Sequence, residues 1–356
     1  MRKYVFKKYN FYFIIFIIFV ILLIIFVYKK FKKDRFERIF PPLDLPDNIV
    51  TILTNTPLKP LSSPLKIFQQ NQKLDNIYIY DPDNLSPVRN QKDCGACWAF
   101  VLTSMLSDDI TVRIINFGKN LSVQELLTCY PYTEGCQGAD PEDVLKWLSR
   151  SNFKLGINDE YIQSDNGECK NFADNGVPIV KNSVKSLCTY INIESSESLI
   201  NNQILLKNIY NMKMQIKNNG PIYATISVYD DFFEFSGNEI YFKKNDIFIG
   251  GHAVEIVGWC NKGVDPRKNF KDYGYWVCKN SWGKKWSNKY IFPGYFAIRM
   301  GYNECGIESR TGCAEPNVDF LLPNNEISPS LIINSFEKLL YKIVDKNYIN
   351  KYLIMD

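Results

Sequence analysis

The sequence predicts an α+β fold of two lobes, one helical and one β-barrel-like, set behind an N-terminal transmembrane helix. Three observations carry that expectation. Residues 11–28 are eighteen consecutive apolar or aromatic residues, about 27 Å as a helix and close to one hydrocarbon core. From Cys97 the string CWAFVLTSMLSDDITVRIIN runs without Pro or Gly until Gly118, which reads as a buried helix of about five turns. Further on, PIYATISVY, EIYF, HAVEIVGW, YGYWVCKN and GYFAIRM are short β-rich strings separated by turns.

In chain order, residues 1–30 form the anchor. Arg2, Lys3, Lys7 and Lys8 precede the span, and Lys29, Lys30, Lys32, Lys33, Arg35 and Arg38 follow it. No Ala or Gly occurs before Gly95, so the small-residue cleavage site of a secretory signal is missing and the span is expected to stay in place. The flanking charges slightly favour a cytoplasmic C-terminal side. Ten cysteines and the acceptor strings Asn84-Leu85-Ser86 and Asn120-Leu121-Ser122 favour the reverse, a folded domain in a lumen, outside the cell or on a virion; the second orientation is preferred. Residues 31–73, with IFPPLDLPDN and TPLKPLSSP, read as a Pro-rich linker or vestigial prosegment without sustained helical periodicity. The folded domain is expected at 74–315, with a helical lobe at about 90–185 and a β lobe at about 186–313. Residues 316–356 read as an extension with apolar helical stripes, docked on the surface or binding a partner.

At 356 residues the chain is long enough for a substantial core. The net charge of +4 is concentrated near the N-terminus, so nucleic acid is not an expected partner. His252 is the only histidine, and acid–base chemistry near neutral pH that runs through histidine has no other carrier. Cys94 and Cys97 have the C-x-x-C spacing of zinc and redox sites. No second such pair exists, so neither a metal nor a cofactor is expected.

The chemistry-bearing strings are Cys94-Gly95-Ala96-Cys97-Trp98, then His252 in GGHAVEIVGW 155 positions after Cys97, then Asn280 in KNSWG another 28 on. A cysteine attacks as thiolate, whose formation needs a nearby cation or a helix N-terminus. Cys97 opens the predicted helix, and the imidazolium of His252 would complete an ion pair. Asn280 suits the third position because its amide oxygen accepts the second ring N–H without adding charge.

These motifs, in this order, resemble the papain-like cysteine proteases (peptidase C1), whose nucleophile string C-G-[SA]-C-[WY] is followed by His and Asn roughly 130–150 residues later. NGPIYATISVYDDFFEFSGNEIYF and GYFAIRMGYNECGIESR bring the resemblance nearest to the cathepsin B branch, over about residues 75–315. The resemblance implies a papain-like fold and thiol-dependent hydrolysis of peptide or protein substrates bound between the lobes. It gives Cys97, His252 and Asn280 the catalytic roles, and Gln91 with the Cys97 N–H the oxyanion hole. Trp282 shields the Asn–His hydrogen bond from water. A silent papain-fold binding protein and a peptide ligase with the same triad are the alternatives.

The resemblance also reaches the substrate. Gly135-Cys136-Gln137-Gly138-Ala139 matches the family string GCxGG, so Gly138 and Ala139 would pair with substrate backbone, with Ala in place of the second glycine. Cys305-Gly306-Ile307-Glu308-Ser309-Arg310 matches CGIESE, whose last residue floors the S2 pocket in the cathepsin B branch; here Arg310 reverses its charge, or runs along the pocket wall into water. The occluding loop of that branch carries two histidines, which this chain does not have, so an endopeptidase is implied. Cys94 would pair with Cys136, and Cys129 with Cys169 or Cys188. With Cys97 set aside nine cysteines remain, so at least one is unpaired. SNKYIFP, after Trp286, is longer than the family's usual turn. Oligomeric state is not readable.

Overall fold

The computed structural model describes residues 74–317, apart from segments at 114–119, 133–134, 152, 158–159, 165–168, 170–175, 192–198, 266 and 288–291. The anchor at 11–28, the linker at 31–73, nearly all of the C-terminal extension and most of SNKYIFP lie outside the described residues. Among the described residues no helix is long and apolar enough to cross a membrane.

Helix α1, Cys97–Arg113, is the central element. Trp98, Ala99, Leu102, Met105, Leu106 and Ile110 are buried on one side of it and Phe100 and Val101 on the other, as a helix apolar all round requires. Asp108 and Asp109 are buried with them. Two shorter helices pack against α1. α2, Val123–Cys129, starts at Ser122, whose side chain accepts the Glu125 N–H. α3, Pro141–Arg150, starts at Asp140, which accepts from Glu142, with Pro at the first helical position; both starts follow the usual capping chemistry.

The other half is a seven-stranded sheet. Its strands are β1 (Ile77–Ile79), β4 (Lys185–Ser186), β5 (Ile222–Tyr229), β6 (Phe248–Cys260), β7 (Tyr275–Lys279), β8 (Tyr295–Arg299) and β9 (Thr311–Cys313). The order is β4-β9-β5-β6-β7-β8, with β1 joined to β6, and every pairing is antiparallel. A separate two-stranded pair, β2 (Lys154–Leu155) with β3 (Val177–Pro178), lies in the helical half of the sequence. β6 pairs with β5 as far as Ile256 and with β1 from Gly258. A Cβ at Gly258 would lie 2.3 Å from the Tyr78 carbonyl oxygen, so the residue there must be glycine.

Within the stretch expected as the β lobe, about 186–313, lies a helix, α4, Leu199–Asn219. Its signal was present: Leu205, Met212 and Ile216, at helical spacing, are all buried. EIYF makes only an isolated bridge, Tyr241 with Ile298, because Tyr241 alone exchanges hydrogen bonds with Ala297 and Arg299 of β8.

Candidate active site

α1 packs against β6, which sets the first residue of the helix beside the strand that carries the only histidine. Burial pushes the Cys97 thiol above its ordinary pKa, while the backbone N–H groups of Ala253, Trp98 and Cys97 itself pull the other way. Cys97 therefore lies against the residue that follows His252, and the N–H groups at the helix start act in the direction a helix N-terminus should.

His252, on β6, is buried, and its Nε2 lies 2.8 Å from Oδ1 of Asn280, the residue immediately after β7. Burial pushes the imidazole down to about 4, against the opposing hydrogen bond to Asn280. The Trp282 ring lies over the imidazole with centroids 4.8 Å apart. Phe233 stacks on that indole at 5.0 Å, and Trp286 meets it edge-on at 5.1 Å. Nδ1 is buried without a hydrogen-bond partner among the described residues. The ion pair expected from sequence is not favoured group by group, since burial drives both Cys97 and His252 towards neutrality. Moving the thiol proton to the imidazole leaves the net charge unchanged, which burial penalises far less than ionising either group alone.

Gln91 is fully buried. Its side-chain amide donates to the Cys94 carbonyl at 3.0 Å, and its Oε1 accepts from Ser281 Oγ at 2.6 Å. An amide NH2 has two hydrogens, so one remains for another acceptor. The Gln91 backbone is held from two directions: its N–H donates to Ser281 O at 2.8 Å, and its carbonyl accepts from Tyr161 Oη at 2.9 Å. Sequence reading missed Ser281 and Tyr161. Ser281 was visible between Asn280 and Trp282, whereas nothing local marks Tyr161.

A disulfide joins Cys94 to Cys136, and Gly95 N–H donates to the Cys136 carbonyl at 2.9 Å. The loop with Gly138 and Ala139, both half-buried, is thereby tied to the start of α1. The second disulfide joins Cys129 to Cys169, which decides between the two partners left open for Cys129. Cys188 is a free thiol beside Thr311 Oγ1. Cys260, Cys278 and Cys305 are free and buried, behaving as small hydrophobes, and Cys313 is buried as well. Only four of the ten cysteines are cross-linked, so the inference of an oxidising compartment rests on two bonds.

Arg310 is linked towards Ala253, the residue after His252, through backbone pairing. Its carbonyl accepts from Thr225 N–H at 2.9 Å, and Thr225 pairs with Ala253 across β5 and β6. Its guanidinium lies 5.8 Å from the ring centre of half-exposed Tyr190, a cation–π distance. Among the described residues no group of His, Cys, Asp and Glu could hold a metal ion.

Comparison with known proteins gives the family and the fold. The pattern of the papain family cysteine protease matches residues 76–314. Cathepsin B-like cysteine proteinase 5 of Caenorhabditis elegans is 30% identical over 260 residues, 66% of this chain and 71% of that one. The gut-specific cysteine proteinase of the same animal is 28% identical over 235 residues, covering 62% of this chain and 66% of its own length. Mouse (Mus musculus) cathepsin O is 29% identical over 231 residues, 64% of this chain and 63% of its own. The match thus spans about two thirds of these relatives. Among solved structures, procathepsin B S9 from Trypanosoma congolense superposes with TM-score 0.53 at 21% identity, over 72% of this chain and 83% of its own. Procathepsin L2 from the Tenebrio molitor larval midgut gives 0.54 at 23%, over 69% of each chain.

Proposed function

The chain belongs to the papain family of cysteine proteases, and from that premise we propose that it is an endopeptidase working through Cys97, His252 and Asn280. The observation that carries this reading is the buried His252–Asn280 pair, 2.8 Å apart beneath Trp282, beside a thiol at the start of α1. Cys97 Sγ attacks the scissile carbonyl carbon as its proton passes to His252. The oxyanion that develops accepts from the Cys97 N–H and the remaining Gln91 amide hydrogen. His252 then returns the proton to the leaving amine. Water, deprotonated by the same imidazole, hydrolyses the thioester and frees the thiol. Asn280 fixes the ring tautomer and plane throughout, and Trp282 keeps water from the hydrogen bond that does so.

Substrate backbone pairs with Gly138 and Ala139. The side chain at P2 meets Arg310, which Tyr190 holds by its ring face, so acidic P2 residues are preferred and basic ones disfavoured. The chain has no second histidine to hold a free C-terminal carboxylate as the cathepsin B branch does, hence internal cleavage. Residues 1–30 anchor the enzyme, 31–73 hold it off the membrane, 74–315 form the peptidase and 316–356 extend it. The two disulfides support a lumenal, extracellular or virion-surface peptidase.

A fluorogenic peptide library varied at P2 tests the assignment, with Cys97→Ala as the blank. Hydrogen bonds to charged groups are worth about 1.5–3 kcal/mol, so wild type should prefer P2 Glu over P2 Arg by roughly ten- to a hundred-fold in kcat/KM. Arg310→Glu should invert the order. Equal cleavage of both by wild type would remove Arg310 from the pocket, and turnover in the blank would remove Cys97 from the chemistry.

A further inference from the structure

Each element that carries a member of the triad also sends one charged side chain to a single buried point. Helix α1, which opens with Cys97, contributes Asp108. Strand β6 carries His252 and, three residues on, Glu255. Strand β7 ends in Lys279, the residue before Asn280. Glu255 and Lys279 are paired in the β6–β7 register, and the three side chains are at most 3% exposed.

The donors do not suffice for both acids. Lys279 Nζ has three hydrogens, and three acceptors take them: Ser86 O at 3.2 Å, Ser86 Oγ at 3.0 Å and Asp108 Oδ2. Asp108 accepts further from Ser86 N–H at 2.5 Å. Glu255 Oε2 is 3.0 Å from Nζ and the Ser104 hydroxyl is within reach of the carboxyl, but neither Glu255 oxygen is met in good hydrogen-bonding geometry by the described residues. Two carboxyls thus share one ammonium, and only one of them is hydrogen-bonded as an anion.

We propose that Glu255 is a positioning residue: as the neutral acid it draws α1, β6 and β7 together and aligns the triad, and as the anion it pushes Asp108 away and loosens that alignment. The proposal rests on the triad reading above. Neutral Glu255 holds a proton that it donates towards Asp108, while Asp108 and Lys279 remain an ion pair. Loss of that proton to solvent leaves two anions on one cation. Burial first, then the Asp108 charge, raises Glu255 from 4.5 to about 8 despite the attraction of Lys279, so the change falls in the range where a peptidase is assayed.

Ser104 of α1 is an uncharged hydroxyl within hydrogen-bonding reach of Glu255. Cys278 of β7 and Tyr295 of β8 are both driven well above their ordinary values by burial. His252, on β6 itself, is already neutral. Arg89 lines the same small inter-lobe cavity but donates to Leu121 O, Phe100 O and Thr103 Oγ1.

The single histidine makes the test direct, because the only imidazole signal in the protein reports the triad. In the full chain carrying Cys97→Ala, where no catalytic thiol titrates, 15N-histidine and 13C-carboxyl glutamate labels are followed by NMR from pH 5 to 9. One glutamate should titrate near pH 8, and the His252 signals should move with the same midpoint. Both steps should vanish when Glu255→Gln is added. In the Cys97 enzyme, kcat should fall at least threefold across that midpoint, and Glu255→Gln should shift this limb up by a pH unit or more. Asp108→Asn, which leaves Glu255 as the sole carboxyl partner of Lys279, should also abolish the step near pH 8. A His252 step that survives Glu255→Gln, or an alkaline limb unchanged by it, overturns the proposal. The NMR arm stands even if Cys97 proves inessential, which would instead sink the triad reading.

Discussion

Two buried polar clusters sit one residue apart at the junction of α1 with the sheet, and they are built on opposite plans. His252 and Asn280 are neutral, joined by one hydrogen bond and covered by Trp282, with Nδ1 left unpartnered. Asp108, Lys279 and Glu255 are charged or shared-proton groups, and every hydrogen of the lysine is used. The first cluster keeps an unmet hydrogen-bonding capacity, which is what a group that must accept a proton needs. In the second the lysine is saturated, which is what a group that must not move needs, while the Glu255 oxygens are left to a shared proton. Reactivity and fixity are thus assigned to different residues on the same three elements.

The widest separation of the two should come from one pair of variants. His252→Ala should lower kcat/KM by about 10³-fold or more, since no second imidazole exists and members of a triad fail as a unit; Asn280→Ala should cost less. In His252→Gln, which keeps most of the side-chain volume under Trp282, stability should change little, by under about 1.5 kcal/mol for one altered hydrogen bond. Urea unfolding beside initial-rate kinetics checks both quantities, and a large stability loss with preserved turnover would reverse the assignment.

Lys279→Met is the converse. Removing the only cation leaves buried carboxylates unpaired, which typically costs about 3–5 kcal/mol. The urea midpoint should drop accordingly, and activity measured below that midpoint should fall far less than in His252→Ala. A Lys279→Met protein as stable as wild type would mean that the cluster does not hold the halves together.

The smallest expected effect is the most discriminating, because the clusters contribute to stability with opposite pH dependence. His252, lowered from 6.5 to about 4 by burial, binds fewer protons folded than unfolded between those values. Its contribution is present above pH 6.5 and is lost as pH falls through about 4. Glu255, raised from 4.5 to about 8, contributes below pH 4.5 and loses that contribution as pH rises through about 8. The two oppose each other from 4.5 to 6.5, and only Glu255 acts from 6.5 to about 8. Unfolding free energy should therefore decline with pH across that upper window in wild type and lose most of this slope in Glu255→Gln. An unchanged slope would place the titration elsewhere.

The two clusters were also unequally readable. Cys97, His252 and Asn280 stand in strings whose residue types have few other uses together, and a single histidine removes ambiguity. The partners of the charged cluster left only a weak trace. Glu255 and Lys279 are single charges inside apolar strand strings, and Asp108 is one of two adjacent acids inside an apolar helix, an arrangement that marks a buried charge but not its partner. α4 was missed although its apolar spacing is helical, because the strings around it are strongly β.

The sequence by itself pointed to the residue types proposed for the reaction, the helix that opens at Cys97, most of the strands, and the family. Those depend on local periodicity and on chemistry confined to short strings. Only the tertiary structure decided that Cys129 bonds Cys169 and not Cys188, that Tyr161 and Ser281 grip Gln91, and that Asp108, Glu255 and Lys279 converge behind the triad. These contacts join residues tens to nearly two hundred positions apart. Which partners meet is fixed by how helix and sheet pack as whole elements, and no local preference along the chain encodes that choice.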